Sequence, residues 1–241
     1  MDLYIISLKR SISRREKMLC NPLYGIKHEF FDAVDARVAG PEALSRYDRE
    51  GAIRRFGLPL TPGEVGCFAS HHALWERCAA SGRPIAVMED DVALSERFRQ
   101  AMRLADELIM EHRFIRLAGQ KERKSRGLQR LASGFSLVRF SRGPSGTQCY
   151  CVSPEGARVL LAGAERWVEP VDTYIDSYWR HGLTPKGIIP FEAHELDREQ
   201  VASTIGDRTK HRTGYAKLRH EVARVGQNVA RVLFDVLHPA S

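Results

Sequence analysis

The apolar run Ile85-Ala86-Val87-Met88 passes without a spacer into three acids, Glu89-Asp90-Asp91. A run this short and this apolar reads as a buried strand. Adjacent carboxylates repel one another, and burying them unpaired is costly, so the end of such a strand calls for a cation. In an open α/β sheet, ligands gather at the carboxyl ends of the strands. An extended chain turns Glu89 and Asp91 to one side and Asp90 to the other. Two carboxylates then suit a hard divalent ion, Mn²⁺ or Mg²⁺, and the third suits a ribose hydroxyl. A helix cap or a solvated turn is the plainer alternative.

The surrounding pattern alternates. Leu3 to Leu8 is an apolar run bounded by polar residues, and Ser13-Arg14-Arg15-Glu16 after it has capping-box spacing. A helix is expected from Pro41 to Phe56, ended by Gly57-Leu58-Pro59. Thr61-Pro62-Gly63-Glu64 is the strongest helix start in the chain, and Val65, Phe68, His72, Trp75 and Ala79 then recur on one face until Ser81-Gly82. A helix from Ser95 to about His112 follows. Strands are expected at Phe114 to Leu117, Phe135 to Phe140 and Thr147 to Val152, and a helix begins at Ser153-Pro154-Glu155. This order predicts an α/β fold with a mainly parallel central sheet flanked by helices.

With 241 residues, 43% hydrophobic and 28% charged, the chain has room for one core and a tail. Residues 1–205 are assigned to one domain and 206–241 to a basic, amphipathic helical tail. No apolar run approaches the ~20 residues of a membrane span. The first residues lack a basic stretch ahead of an apolar one, so a cytoplasmic protein is expected. Cys20, Cys67, Cys78, Cys149 and Cys151 show no zinc spacing, and reduced thiols are expected.

The net charge of +7 favours anionic partners. Between Met110 and Gly143, Arg113, Arg116, Lys121, Arg123, Lys124, Arg126, Arg130, Arg139 and Arg142 face only Glu111 and Glu122. Nucleic acid would suit such a stretch, but no recognition module or stacking aromatic series accompanies it, and the three acids would repel phosphate without a metal. A metal-dependent phosphohydrolase, activating water on the same acids, is the nearer rival.

Longer motifs narrow the choice. Leu60-Thr61-Pro62-Gly63-Glu64-Val65-Gly66-Cys67-Phe68-Ala69-Ser70-His71, then Trp75, then Met88-Glu89-Asp90-Asp91-Val92, closely resembles family 25 glycosyltransferases, which build bacterial lipopolysaccharide and lipooligosaccharide. Ile6-Ser7-Leu8-Lys9-Arg10, Phe31-Asp32-Ala33-Val34-Asp35, Gly146-Thr147 to Tyr150 and Pro170-Val171-Asp172 fit in the same order, across roughly residues 1 to 200. The resemblance implies a GT-A-type nucleotide-sugar fold. It also implies an inverting, metal-dependent reaction and a uridine-diphosphate sugar donor, most often of galactose.

Within that resemblance, Asp172 is the first choice for the base that activates the acceptor hydroxyl, and Asp176, one helical turn on, is its competitor. For either acid a helix cap or surface position is the plainer reading. Ser7, Leu8, Arg14, Arg15, Glu89, Asp90 and His71 are expected around the donor, and Gly146 and Thr147 around the acceptor. Glu89, Asp91 and a late histidine, His194, form the expected metal set.

From Gly214 to Leu237 the pattern is helical, with Leu218, Val222, Val225, Val229, Val232 and Val236 on one stripe. Arg208, Lys210, Arg212, Lys217, Arg219, Arg224 and Arg231 outnumber Asp207, Glu221 and Asp235. Weak peripheral binding to the inner face of the inner membrane is one expectation. Packing of the stripe against the domain or a second subunit is the other.

Overall fold

The computed structural model describes residues 1–19, 23, 26–196 and 214–238, with backbone alone for 214–224. Cys20, the boundary drawn at 205/206 and the basic residues Arg208, Lys210 and Arg212 lie outside the described residues. The chain runs β1 (Asp2–Ser7), α1 (Ile12–Leu19), β2 (His28–Asp32), a 3-10 turn (Pro41–Leu44), α2 (Arg49–Phe56), α3 (Pro62–Ser81), β3 (Ile85–Glu89), β4 (Val92–Leu94) and α4 (Phe98–His112). It continues as β5 (Phe114–Arg116), β6 (Ser125–Arg130), β7 (Ser136–Phe140), β8 (Cys149–Val152), α5 (Pro154–Gly163), α6 (Val171–Asp176), α7 (Tyr178–His181), β9 (Lys186–Ile189), β10 (Ala193–Glu195) and α8 (Gly214–Leu237).

Eight strands form one sheet in the order β2-β1-β3-β8-β5-β9-β7-β6, and β10 pairs with β4 as a separate ribbon. The α/β expectation holds, with a refinement: the sheet is mixed. β1 pairs parallel with β2 and β3, and β5 with β9, whereas β8 and β7 lie antiparallel to their neighbours. Helical crossovers between β1, β2 and β3 impose parallel pairing there. The short β6–β7 connection allows only a hairpin.

Alternation along the central strands divides the interior in two. Leu3, Ile5, Ala86 and Met88 enter one core with Phe98, Ala101, Ala105 and Ile109 of α4. Tyr4, Ile6, Ile85 and Val87 enter the other with Phe68, Leu74 and Trp75 of α3 and Leu160 of α5. Burying each large side chain contributes ~1.5–3 kcal/mol relative to exposure, so the sheet between two helical layers is held from both faces.

Helix α3 starts as its sequence predicts. Thr61 Oγ1 accepts from Glu64 N at 3.2 Å, Glu64 Oε2 accepts from Thr61 N at 2.8 Å, and Gly82 ends the helix at φ +66°. Its burial is broader than the expected single face. Ser70, His71 and Leu74 are buried as well as Val65, Phe68, His72 and Trp75, because α3 lies between the sheet and the helices α5 and α6. Three boundaries also move. Helix α1 begins at Ile12, so Ser13 lies inside it; the segment from Pro41 to Phe56 is broken into a 3-10 turn and α2; and α4 begins at Phe98.

Candidate active site

The strand register assembles the site. Ile6 of β1 stands opposite Glu89 of β3, and Ser7 opposite Asp32 of β2, so the parallel strands end together. Ser7 Oγ donates to Asp90 Oδ2 at 2.7 Å, and Arg14 of α1 donates to Asp90 Oδ1 at 2.8 Å. Around these ends opens a cleft lined by Ser7, Leu8, Arg10, Arg14, Arg37 and all three acids. Arg15 supports the cleft from outside: it donates to the Ser7 carbonyl at 2.8 Å and to Asp32 at 2.5 Å.

A second cleft adjoins the first. Gly146, Thr147, Gln148, Pro170 and Asp172 line it, and Cys67 and Glu89 border both clefts. Glu89 is thus the carboxylate between two spaces.

A hydrogen-bonded chain from the core, Trp75 to Tyr150 to His71, ends facing Glu89. Trp75 Nε1, which can only donate, reaches Tyr150 Oη at 2.9 Å, and Tyr150 Oη lies 2.8 Å from His71 Nδ1. His71 Nε2 in turn faces Glu89 Oε1 at 3.5 Å. The Thr147 hydroxyl donates to the same oxygen. Burial pushes the Glu89 carboxyl up, but His71, Thr147 and Arg14 more than offset it and hold it below its ordinary value. Cys67, His71 and Glu89 bring one potential ligand atom each within 4.8 Å of one another.

Asp91 has the opposite balance. Burial raises its pKa to about 7, and Glu89, Asp90 and Glu195 add to the rise against Arg14. Its Oδ1 is buried with no hydrogen-bond partner. An orphaned carboxylate oxygen amid surplus negative charge fits a hard cation, so the residues present suit Mn²⁺ or Mg²⁺.

The two acids proposed as base separate in space. Asp172 lines the second cleft, with its Oδ1 accepting from Thr173 N at 2.7 Å. Asp176 is committed elsewhere: Arg116, buried, donates to it at 2.5 Å, and Ser145 N donates at 3.0 Å. Burial raises the Asp176 pKa, with Arg116 opposing. Arg116 also donates to the Gly146 carbonyl, so this pair shapes the wall of the second cleft from behind.

His194 departs from the expected metal set. It is exposed on β10, opposite Ala93 of β4. Its neighbour Glu195 is the residue that reaches Gln120 and Gln148, at 2.9 and 3.4 Å, and whose charge acts on Asp91. Alternate residues of a strand face opposite ways, which turns His194 from the acids. His71 lies wholly inside the core and faces the site beside Glu89. Sequence reasoning missed Cys67, Tyr150, Arg116 and Glu195; Tyr150 meets Trp75 and Arg116 meets Asp176 across 60 or more residues, and no local spacing signals that.

These features define a class: an α/β protein whose sheet ends in an acidic cleft rimmed by arginines, with a second cleft sharing one carboxylate. The chain belongs to glycosyltransferase family 25 (LPS biosynthesis protein), whose profile matches residues 1–175. It is 31% identical to the human protein named inactive glycosyltransferase 25 family member 3, over 81% of this chain and 36% of that protein. It is 30% identical to a glycosyltransferase 25 family member of Aedes aegypti, over 97% of this chain and 40% of the other. The lipooligosaccharide biosynthesis protein lic2B of Haemophilus influenzae is 27% identical, over 66% and 62%. The chain spans between about a third and two-fifths of the length of the human and mosquito relatives. Among the described residues, no helix is long and apolar enough to cross a membrane.

Proposed function

We propose that this chain is an inverting, metal-dependent glycosyltransferase of GT-A type. In this reading it moves a sugar, galactose first among the candidates, from a uridine-diphosphate donor to a lipopolysaccharide or lipooligosaccharide saccharide. The observation that carries the reading is Asp91, a buried carboxylate with an orphaned oxygen and a pKa raised to about 7, in a cleft that Arg10, Arg14 and Arg37 also line. Glu89 and Asp91 would hold Mn²⁺ or Mg²⁺, which supplies charge neutralisation for the departing diphosphate.

The chain's own groups do the rest. Asp90, fixed by Ser7 and Arg14, presents a carboxylate to a ribose hydroxyl, while Arg10, Arg14 and Arg37 offset the phosphate charge. The acceptor enters the second cleft beside Gly146 and Thr147. Asp172 takes the proton from its hydroxyl as that oxygen attacks the anomeric carbon, opposite the leaving group. Asp176 is assigned a positioning role through Arg116. The expected setting is the cytoplasm, and the unpaired thiols of Cys67, Cys78, Cys149 and Cys151 suit a reducing compartment.

Calorimetric titration of uridine diphosphate with and without Mn²⁺, on the wild type and on Asp91→Ala, tests the donor site. Binding that requires both the metal and Asp91 is expected. Metal-independent or absent binding overturns the reading. Sugar release from a uridine-diphosphate sugar without any acceptor would instead favour hydrolysis.

A further inference from the structure

Over residues 225–237, helix α8 turns its apolar stripe away from the protein. The side that docks is largely polar: Asp235 accepts from Arg139 at 3.0 Å and from Tyr178 at 2.8 Å, and Phe234 meets Tyr178 edge-on at 5.6 Å. The opposite side presents Val225, Val229, Val232, Leu233, Val236 and Leu237, each more than half exposed. The one acid between residues 225 and 238 is Asp235, already taken up in docking. From residue 225 onward, the expectation that the stripe packs against the domain is therefore corrected. The helix is held by its other face. Six apolar side chains along ~20 Å of helix form the kind of contiguous patch that marks a covered surface.

A second, independent feature lies beside it. Strand β6 forms the outer edge of the sheet, and all six of its residues are exposed. Lys124, Arg126 and Asp235 line one open cavity, and Arg126 pairs across the ladder with Arg139, the residue that anchors α8. Lys124 and Arg126 of this basic segment thus adjoin the docked, Asp235-bearing end of α8. Basic residues on an edge strand discourage strand pairing, which explains β6 alone and leaves the outward face of α8 without a purpose.

The geometry points to an anionic lipid bilayer as the occupant of this composite surface. The valines and leucines of α8 enter the boundary between headgroups and acyl chains, and the β6 segment meets headgroup phosphates. A second copy fits less well. Pairing α8 with α8 would offer no acid from either exposed face, while bringing two basic edges into one assembly. This inference stands apart from the donor chemistry, so vesicle binding and nucleotide binding succeed or fail separately.

Cosedimentation of the full chain with vesicles of phosphatidylcholine alone, and of phosphatidylcholine mixed with phosphatidylglycerol, tests it. Salt-sensitive binding to the mixed vesicles only is expected. The double variant Val229→Asp/Val232→Asp, on an exposed face, is expected to keep its circular dichroism and lose binding. Lys124→Ala and Arg126→Ala are each expected to weaken binding about fivefold. Absent binding, equal binding to both vesicle types, or full binding by the double aspartate variant overturns the inference. So does a wild-type dimer that those aspartates convert to monomer, which would identify a second copy as the occupant.

Discussion

Ser7 Oγ donates to Asp90 Oδ2 at 2.7 Å, joining the ends of β1 and β3 across 83 residues of chain. The bond is buried, and its acceptor is the carboxylate that Arg14 holds from the other side. Replacing Ser7 by Ala leaves one oxygen of a buried carboxylate without its donor. Loss of a hydrogen bond to a charged group costs ~1.5–3 kcal/mol, so the urea midpoint of Ser7→Ala should fall. Uridine diphosphate should bind more weakly as well. An unchanged midpoint would show that Asp90 finds another donor.

Asp172 and Asp176 offer a contrast that kinetics and unfolding can separate. Asp172→Asn should lower kcat by ~10²–10⁴-fold and leave the urea midpoint near that of the wild type. Asp176→Asn strips Arg116 of its partner, and breaking a buried ion pair from one side costs ~3–5 kcal/mol. Its main signature should be a large fall in stability. The opposite pattern would exchange the two roles.

How much could be read in advance follows from the range of each interaction. The caps of α3 and the apolar run before Glu89 are local signals, and both appear where the sequence places them. Strand β6 is exposed along its whole length and polar, so no alternation betrays it. β4 and β10 have three residues each, too few for a period. Whether Asp172 or Asp176 faces the cleft depends on Arg116, which is 60 residues from Asp176. His194 and Glu195 could be ranked only with the register of β10 against β4 in hand. The stripe of α8 was legible as a stripe, but periodicity is silent on which way a helix faces.

Gly66 tests the seam between α3 and the loop that closes the first cleft. A Cβ added there would stand 2.3 Å from the Val34 carbonyl oxygen, a backbone atom that cannot swing aside. Overpacking of this kind costs ~1–3 kcal/mol. Gly66→Ala should therefore melt earlier, and by displacing Val34 to Ala36, which line the cleft, it should weaken uridine diphosphate binding. Gly40→Ala, with nothing within 4 Å of its added carbon, is the matched control and should change neither. Equal behaviour of the two variants would remove this contact from the account.

Asp91 ties stability to pH in a defined direction. Its carboxyl ionises at about 7 in the folded protein against an ordinary value of 3.8, with burial as the leading cause. Below 3.8 both states hold the proton and the residue costs nothing. Between 3.8 and about 7 the unfolded chain gives up the proton first, so rising pH favours unfolding; above 7 the penalty is constant. Without divalent ions, Asp91→Asn should melt higher than the wild type at pH 8, and the difference should fade toward pH 4. Mn²⁺ binds the ionised carboxylate, so it should raise the wild-type melting temperature more at pH 8 than at pH 5 and leave Asp91→Asn largely unmoved. A variant less stable than the wild type at pH 8 would mean that the charge of Asp91 is satisfied by the protein itself, and the case for a cation at this strand end would fall with it.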